Sequence, residues 1–214
     1  MKSSFFSNCV YVEEDNFWLN YLNKLSDPYI NKAVENNKKL FFDNKDFGLV
    51  HHSGPLMNDI NFLDFIKFIS KKSYSILDEQ GYDLKDYSLT LTELWVQEFS
   101  KEGGGYHSIH THWNGHVSGF YFLKCSDKTS FPVFHDPRPG KMMIQLPEKD
   151  KTKITDASEK IPFIPKPGTF IFFNSYLGHE FAVDHGIEPF RFIHFNIQAV
   201  PKQLINNNIK RISS

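Results

Sequence analysis

The chain has 214 residues, 40% hydrophobic and 16% aromatic, with 22 phenylalanines and a formal net charge of −1. That composition supports one packed core and excludes global disorder. The near-zero charge speaks against nucleic acid, which needs a concentrated positive field.

The start, MKSSFFSNCVYVEEDNFW, has one lysine and a short apolar run followed by acids. It reads as neither a leader nor an anchor, and no apolar run nears the about 20 residues of a membrane helix. Cys9 and Cys125 form no CxxC pair, so a zinc knuckle or disulfide framework is unsupported. A reduced, cytoplasmic setting is expected.

Residues 13–36 space Phe17, Trp18, Tyr21, Leu22 and Leu25 as on a helix, and Asp27-Pro28 is expected to end it. Residues 58–80 repeat Ile60, Leu63, Ile66, Ile69 and Leu77 at helical spacing, with Gly81 as a stop. After Asp86 the pattern alternates. SLTLTELWVQEF (88–99), HVSGFYFLKC (116–125), FPVFHD (131–136), KMMIQL (141–146), GTFIFFN (168–174), HEFAV (179–183) and FRFIHFNIQAV (190–200) read as strands parted by turns. The polar stretch 148–160 reads as a loop over one end of the core. The expected fold is α+β with a mainly β core, an antiparallel barrel or sandwich. It divides into a helical supporting layer (1–87), the β-core (88–200) and a tail (201–214), one compact unit overall.

Four of the ten histidines crowd into GYHSIHTHWNGH: His107, His110, His112 and His116. On a strand, His110 and His112 would face the same way, and imidazoles commonly hold divalent transition metals. An HxH pair alone is a weak signal. His179 supplies a third imidazole in a later strand setting, and Arg191 opens the last strand, RFIHFN. An arginine among apolar neighbours needs an anionic partner if buried.

The order GGGY, HxH, SGFYFL, DPR, PGTFIFFNSYLGHEF, RFIHFN resembles the small iron(II)- and 2-oxoglutarate-dependent oxygenases. Within them it is most similar to a group of marine bacteria and phages related to prolyl hydroxylases. The resemblance covers roughly residues 88–200. The Asn-, Lys- and Phe-rich usage would suit an AT-rich phage genome. The resemblance implies a double-stranded β-helix, or jelly roll, with iron(II) and 2-oxoglutarate. It implies hydroxylation of an unactivated C–H bond, with succinate and carbon dioxide released, on a small molecule or a peptidyl prolyl or other amino-acid residue. No nucleic-acid or membrane partner is expected.

In that family an HxD/E motif and a distal His bind iron. His110 matches the first ligand and His179 the distal one. Arg191 matches the residue that pairs with the far carboxylate of 2-oxoglutarate. The usual carboxylate is replaced by His112, so three readings stand: a His110–His112–His179 site, a site completed by Asp136, or two histidines with water or an anion. His112 is not small, which speaks against a halide in its place. Tyr121 and Phe99 match co-substrate-contacting positions, and Asp136, Arg138 and Trp113 are candidates for the substrate mouth. His107 and His116 are expected to steady the site, and segment 37–57 and loop 148–160 to shield it. His51, His52, His135, His185 and His194 receive no role. Two rivals remain. A cupin-type metal enzyme would not use 2-oxoglutarate, but the chain lacks the cupin glutamate and its second-motif spacing. A non-catalytic β-barrel binding protein is the other.

Overall fold

The computed structural model describes residues 8–40, 46–144 and 146–205. Two antiparallel sheets form its core. The larger runs β1 (Val10–Glu14), β8 (Thr169–Asn174), β5 (Val117–Lys124), β10 (Arg191–Pro201), β3 (Tyr87–Phe99) and β2 (Val50–His52). The smaller runs β4 (His107–His110), β9 (His179–Phe181), β6 (Pro132–His135) and β7 (Lys160–Pro162). Helices α1 (Leu19–Leu40) and α2 (Leu63–Glu79) cover the larger sheet. This is the expected jelly roll with its helical layer.

Strand alternation divides the apolar residues into two cores. Toward the helices, Leu94, Val96, Tyr121, Phe170, Phe172, Ile193 and Phe195 pack against Leu22, Ile30, Phe62, Phe65 and Ile69. Toward the other sheet, Phe99, Phe120, Phe122, Phe173, Phe190 and Phe192 pack against Phe134 and Phe181. The large sheet is therefore apolar on both faces, which accounts for the phenylalanine content.

Gly119 of β5 pairs directly opposite Phe195 of β10. A Cβ there would run into the Phe195 ring and lie 2.5 Å from Ile171 O. Gly119→Ala should therefore destabilise the fold by about 1–3 kcal/mol through overpacking. A urea midpoint equal to wild type would refute this.

Several elements differ from expectation. Helix α1 does not end at Asp27-Pro28 but runs to Leu40. Pro28 is exposed while Leu22, Ser26 and Ile30 are buried, so the missing N–H faces solvent and packing holds the helix through it. The described residues of KMMIQL form no strand. Pro139–Met143 form a 3₁₀ helix whose turns close through Lys141 N–H to Arg138 O and Ile144 N–H to Lys141 O. Loop 148–160 ends in β7, which pairs with β6. Strands β1 and β2, short and unpatterned, come from the segment read as purely helical. Within the segment 37–57, residues 41–45 lie outside the described residues, as do 206–214 of the tail.

Candidate metal centre

Cross-strand pairing builds the centre. His110 ends β4 directly opposite His179, which opens β9, and their rings are 4.4 Å apart. His112 lies beyond the strand rather than on it. Its N–H donates to Ser175 O at 2.9 Å, and this turn, not strand alternation, carries its ring to 5.1 Å from both His110 and His179. The donor atoms of the three histidines lie within 4.8 Å of one another.

Backbone carbonyls set the rings. His110 Nδ1 lies 2.8 Å from Ser108 O and His179 Nδ1 3.0 Å from Leu177 O. A carbonyl only accepts, so each Nδ1 carries the proton and each Nε2 keeps its lone pair for a cation. The Nε2 atoms of His112 and His179 are buried without a hydrogen-bond partner. Burial pushes the His179 imidazole far below its ordinary range and, with the neighbouring histidines, takes His112 to about 3. These are neutral imidazoles at pH 7, the form that ligates. Three such nitrogens fit a first-row divalent metal.

The flanking histidines support this frame. His107 hydrogen-bonds the Gln97 side chain and stacks 5.7 Å from Phe99. His116 Nδ1 accepts from Ala199 N–H at 3.0 Å, tying the loop to β10. Phe99, 2% exposed, lines the barrel interior against Phe181, Phe190 and Phe192.

Three expected residues are elsewhere. Arg191 shares the face of Ile193 and Phe195 and points at the helices. Its Nε donates to Glu98 Oε2 at 2.6 Å, and its Nη1 to Asp27 Oδ1 at 2.6 Å and Ser26 Oγ at 3.0 Å. The buried arginine has its anion, but the anion is Glu98. Tyr121 shares that face and donates its hydroxyl to Asp15 O. Asp136 accepts from Arg138 on both carboxylate oxygens and joins no cluster of metal-ligating groups among the described residues. The described arginines, Arg138 and Arg191, are thus both engaged outside the barrel. The metal fits the residues present; the implied arginine clamp for 2-oxoglutarate does not.

Trp113 is 93% exposed. It lines, with Leu84, Tyr82, Tyr87 and Tyr176, a cleft of about 490 Å³ that reaches His112. Sequence reasoning missed two inward groups, Glu93 and His194. In the sequence Glu93 is a lone acid at the parity of Trp95 and Gln97, and His194 shares the parity of Phe192, but alternation alone does not say which parity faces inward.

Residues 93–196 match the family model described as "Putative 2OG-Fe(II) oxygenase". The viral collagen prolyl hydroxylase of Paramecium bursaria Chlorella virus-1 has a similar fold, at 14% identity, with 89% of this chain and 96% of that one covered and a TM-score of 0.56. So does the carbocyclase SnoK of nogalamycin biosynthesis, at 9% identity, 90% and 81% coverage and a TM-score of 0.56. The chain spans 54% of a 2OG-Fe(II) oxygenase-family oxidoreductase from Burkholderia pseudomallei, with 67% of this chain covered, 12% identity and a TM-score of 0.41. No curated protein matches.

Proposed function

We propose, for a chain whose residues 93–196 match the 2OG-Fe(II) oxygenase family model, the hydroxylation of an unactivated C–H bond, with succinate and carbon dioxide released. The family uses iron(II) and 2-oxoglutarate. The observation that carries the reading is the convergence of His110, His112 and His179, with two buried Nε2 atoms left unpartnered.

His110, His112 and His179 would hold the iron. With 2-oxoglutarate and dioxygen it supplies the oxidant that inserts oxygen into the substrate. The carbonyls of Ser108 and Leu177 keep two of the rings aimed. Three neutral imidazoles leave the cation's charge uncompensated, which favours an anionic oxygen donor in the remaining positions. Phe173, Phe120 and Phe134 pack 4.8, 5.6 and 6.3 Å from the His179 ring. They exclude water from that side and strengthen electrostatics within.

The cleft beside His112 would take the substrate. Its exposed rings, Trp113, Tyr82, Tyr87 and Tyr176, offer flat apolar faces with polar tips. Such walls suit a peptidyl prolyl or another amino-acid residue, in keeping with the similarity to a prolyl hydroxylase. Among the described residues no helix is long and apolar enough to cross a membrane.

The test is anaerobic. Iron(II) and then 2-oxoglutarate are added to metal-free protein, and the visible spectrum is recorded. A weak charge-transfer band that requires 2-oxoglutarate and vanishes in His179→Ala is expected, and turnover in that variant should fall at least about 100-fold. Iron binding without the band would instead favour a metal enzyme that does not use 2-oxoglutarate, the reading that the outward turn of Arg191 supports. No metal binding would sink both.

A further inference from the structure

We propose that Glu93, His112 and His194 form a second divalent-cation seat inside the barrel, sharing His112 with the first. This goes beyond the oxygenase reading and does not depend on it.

The donor atoms of these three residues lie within 4.8 Å of one another. They come from separate elements: Glu93 from β3, His194 from β10 and His112 from the turn after β4. The His112 and His194 rings are 4.6 Å apart and nearly parallel, at 29°. His194 is fully buried, and neither of its ring nitrogens has a hydrogen-bond partner. Its nearest acid, Glu93 Oε2, stands 3.4 Å from Nε2, beyond the range of a good hydrogen bond. A buried imidazole with both nitrogens unsatisfied is costly. A cation between His194, Glu93 and His112 would satisfy the nitrogen that carries the lone pair.

Glu93 is held as ligating carboxylates are held. Its Oε1 accepts from Asn114 Nδ2 at 2.9 Å and its Oε2 from Asn196 Nδ2 at 2.8 Å. Asn196 is anchored in turn by the Ser118 hydroxyl, which donates to its Oδ1 at 2.5 Å and lies 2.8 Å from Ser175 Oγ. Such an outer ring of donors orients a carboxylate toward a metal and does not merely bury it. The carboxyl stays ionised, pushed down to about 2 by its contacts with His194 and Asn114 against the opposing effect of burial.

The two seats differ in chemistry. His110, His112 and His179 offer three neutral nitrogens. Glu93, His112 and His194 offer two nitrogens and an anionic oxygen, which neutralises one unit of the cation's charge. Both sets suit first-row divalent ions. His112 has one buried, unpartnered nitrogen, Nε2. The seats therefore compete for that lone pair, and one ion at a time occupies the barrel.

Cobalt(II) is the probe, titrated into metal-free full-length protein by calorimetry, with its visible d–d spectrum recorded. Wild type should bind one ion. The double variant His110→Ala/His179→Ala lacks the first seat and should still bind one, with a changed spectrum. Adding Glu93→Gln or His194→Ala to it should abolish binding. Glu93→Gln is the conservative probe, with a thermal melt confirming that each variant folds. Glu93→Gln alone should leave wild-type binding and the 2-oxoglutarate-dependent iron band in place. Absence of cobalt in His110→Ala/His179→Ala would overturn the proposal. So would residual binding that survives Glu93→Gln and His194→Ala, or two ions bound at once in wild type. Failure of the iron band in wild type bears on the oxygenase reading alone.

Discussion

Arg191→Ala is expected to cost about 3–5 kcal/mol of stability, the penalty for removing one partner of a buried ion pair. Glu98 is 5% exposed and would be left buried with no arginine to meet it. Asp27 and Ser26 would lose one of the contacts that tie α1 to the sheet. Lys124 Nζ, 3.6 Å from Glu98 Oε2, can take up part of the load, so the lower end of the range is the better expectation. Replacing both partners, as Arg191→Met with Glu98→Gln, should recover much of the loss. Urea unfolding measures all three proteins. The alternative role makes the opposite forecast. An arginine that clamped 2-oxoglutarate would leave stability nearly unchanged on removal and lower co-substrate affinity. A stable Arg191→Ala with weakened 2-oxoglutarate binding would overturn the placement of this side chain against the helices.

The second large effect is on acid stability. His179 and His194 are fully buried, and burial lowers both imidazoles below their ordinary value of 6.5. In the unfolded chain both take up protons below about pH 6.5; in the folded chain they do not. Stability therefore falls as pH falls through that window, approaching about 1.4 kcal/mol per pH unit for each group, or roughly 3 for the pair. His107, lowered to about 4 chiefly by burial, and His112, lowered to about 3, add to the slope in the same direction. Glu93, held at about 2, extends the decline below pH 4.5, because its carboxylate is needed in the fold. Thermal melts of metal-stripped protein from pH 8 to pH 5 should be flat above about pH 7 and drop steeply below 6. A melting temperature that holds or rises at pH 5.5 would mean the imidazoles are already charged and not aimed inward.

The fold was legible where periodicity was long. The alternation of 88–99 and 190–200 pointed to β3 and β10, and the run from Ile60 to Leu77 to α2, although the face α2 buries is Phe65, Ile69, Ile76 and Leu77 while Ile60 and Leu63 are exposed. Strands β1 and β2 were not legible: five and three residues carry too little alternation, and their pairing with β8 and β3 is set from far along the chain. The centre was half legible. His110 and His179 announced themselves by motif, and the structure sets them opposite each other. Arg191 misled because spacing along a strand says how far a residue lies from a motif, not which face it takes. The register shift between Arg191 and Phe192 against β5 is a property of the pairing and not of either strand alone. Glu93 and His194 were hidden by the same ambiguity, since their inward parity becomes meaningful only once the sheet is closed.

The origin of β1 and β2 decides what can be cut from this chain. The outermost strands of the six-stranded sheet both precede residue 87. A fragment trimmed to the family-matched span would bare the backbone donors and acceptors along β8 and β3. It would also uncover the apolar face now under α1 and α2, including Phe170, Phe172 and Phe195. Open edges beside an exposed aromatic face are templates for intermolecular pairing. The smallest soluble unit therefore extends well beyond the sequence that carries the chemistry. A truncated barrel would be recovered from the pellet, with its histidines intact and nothing to hold them apart from other copies.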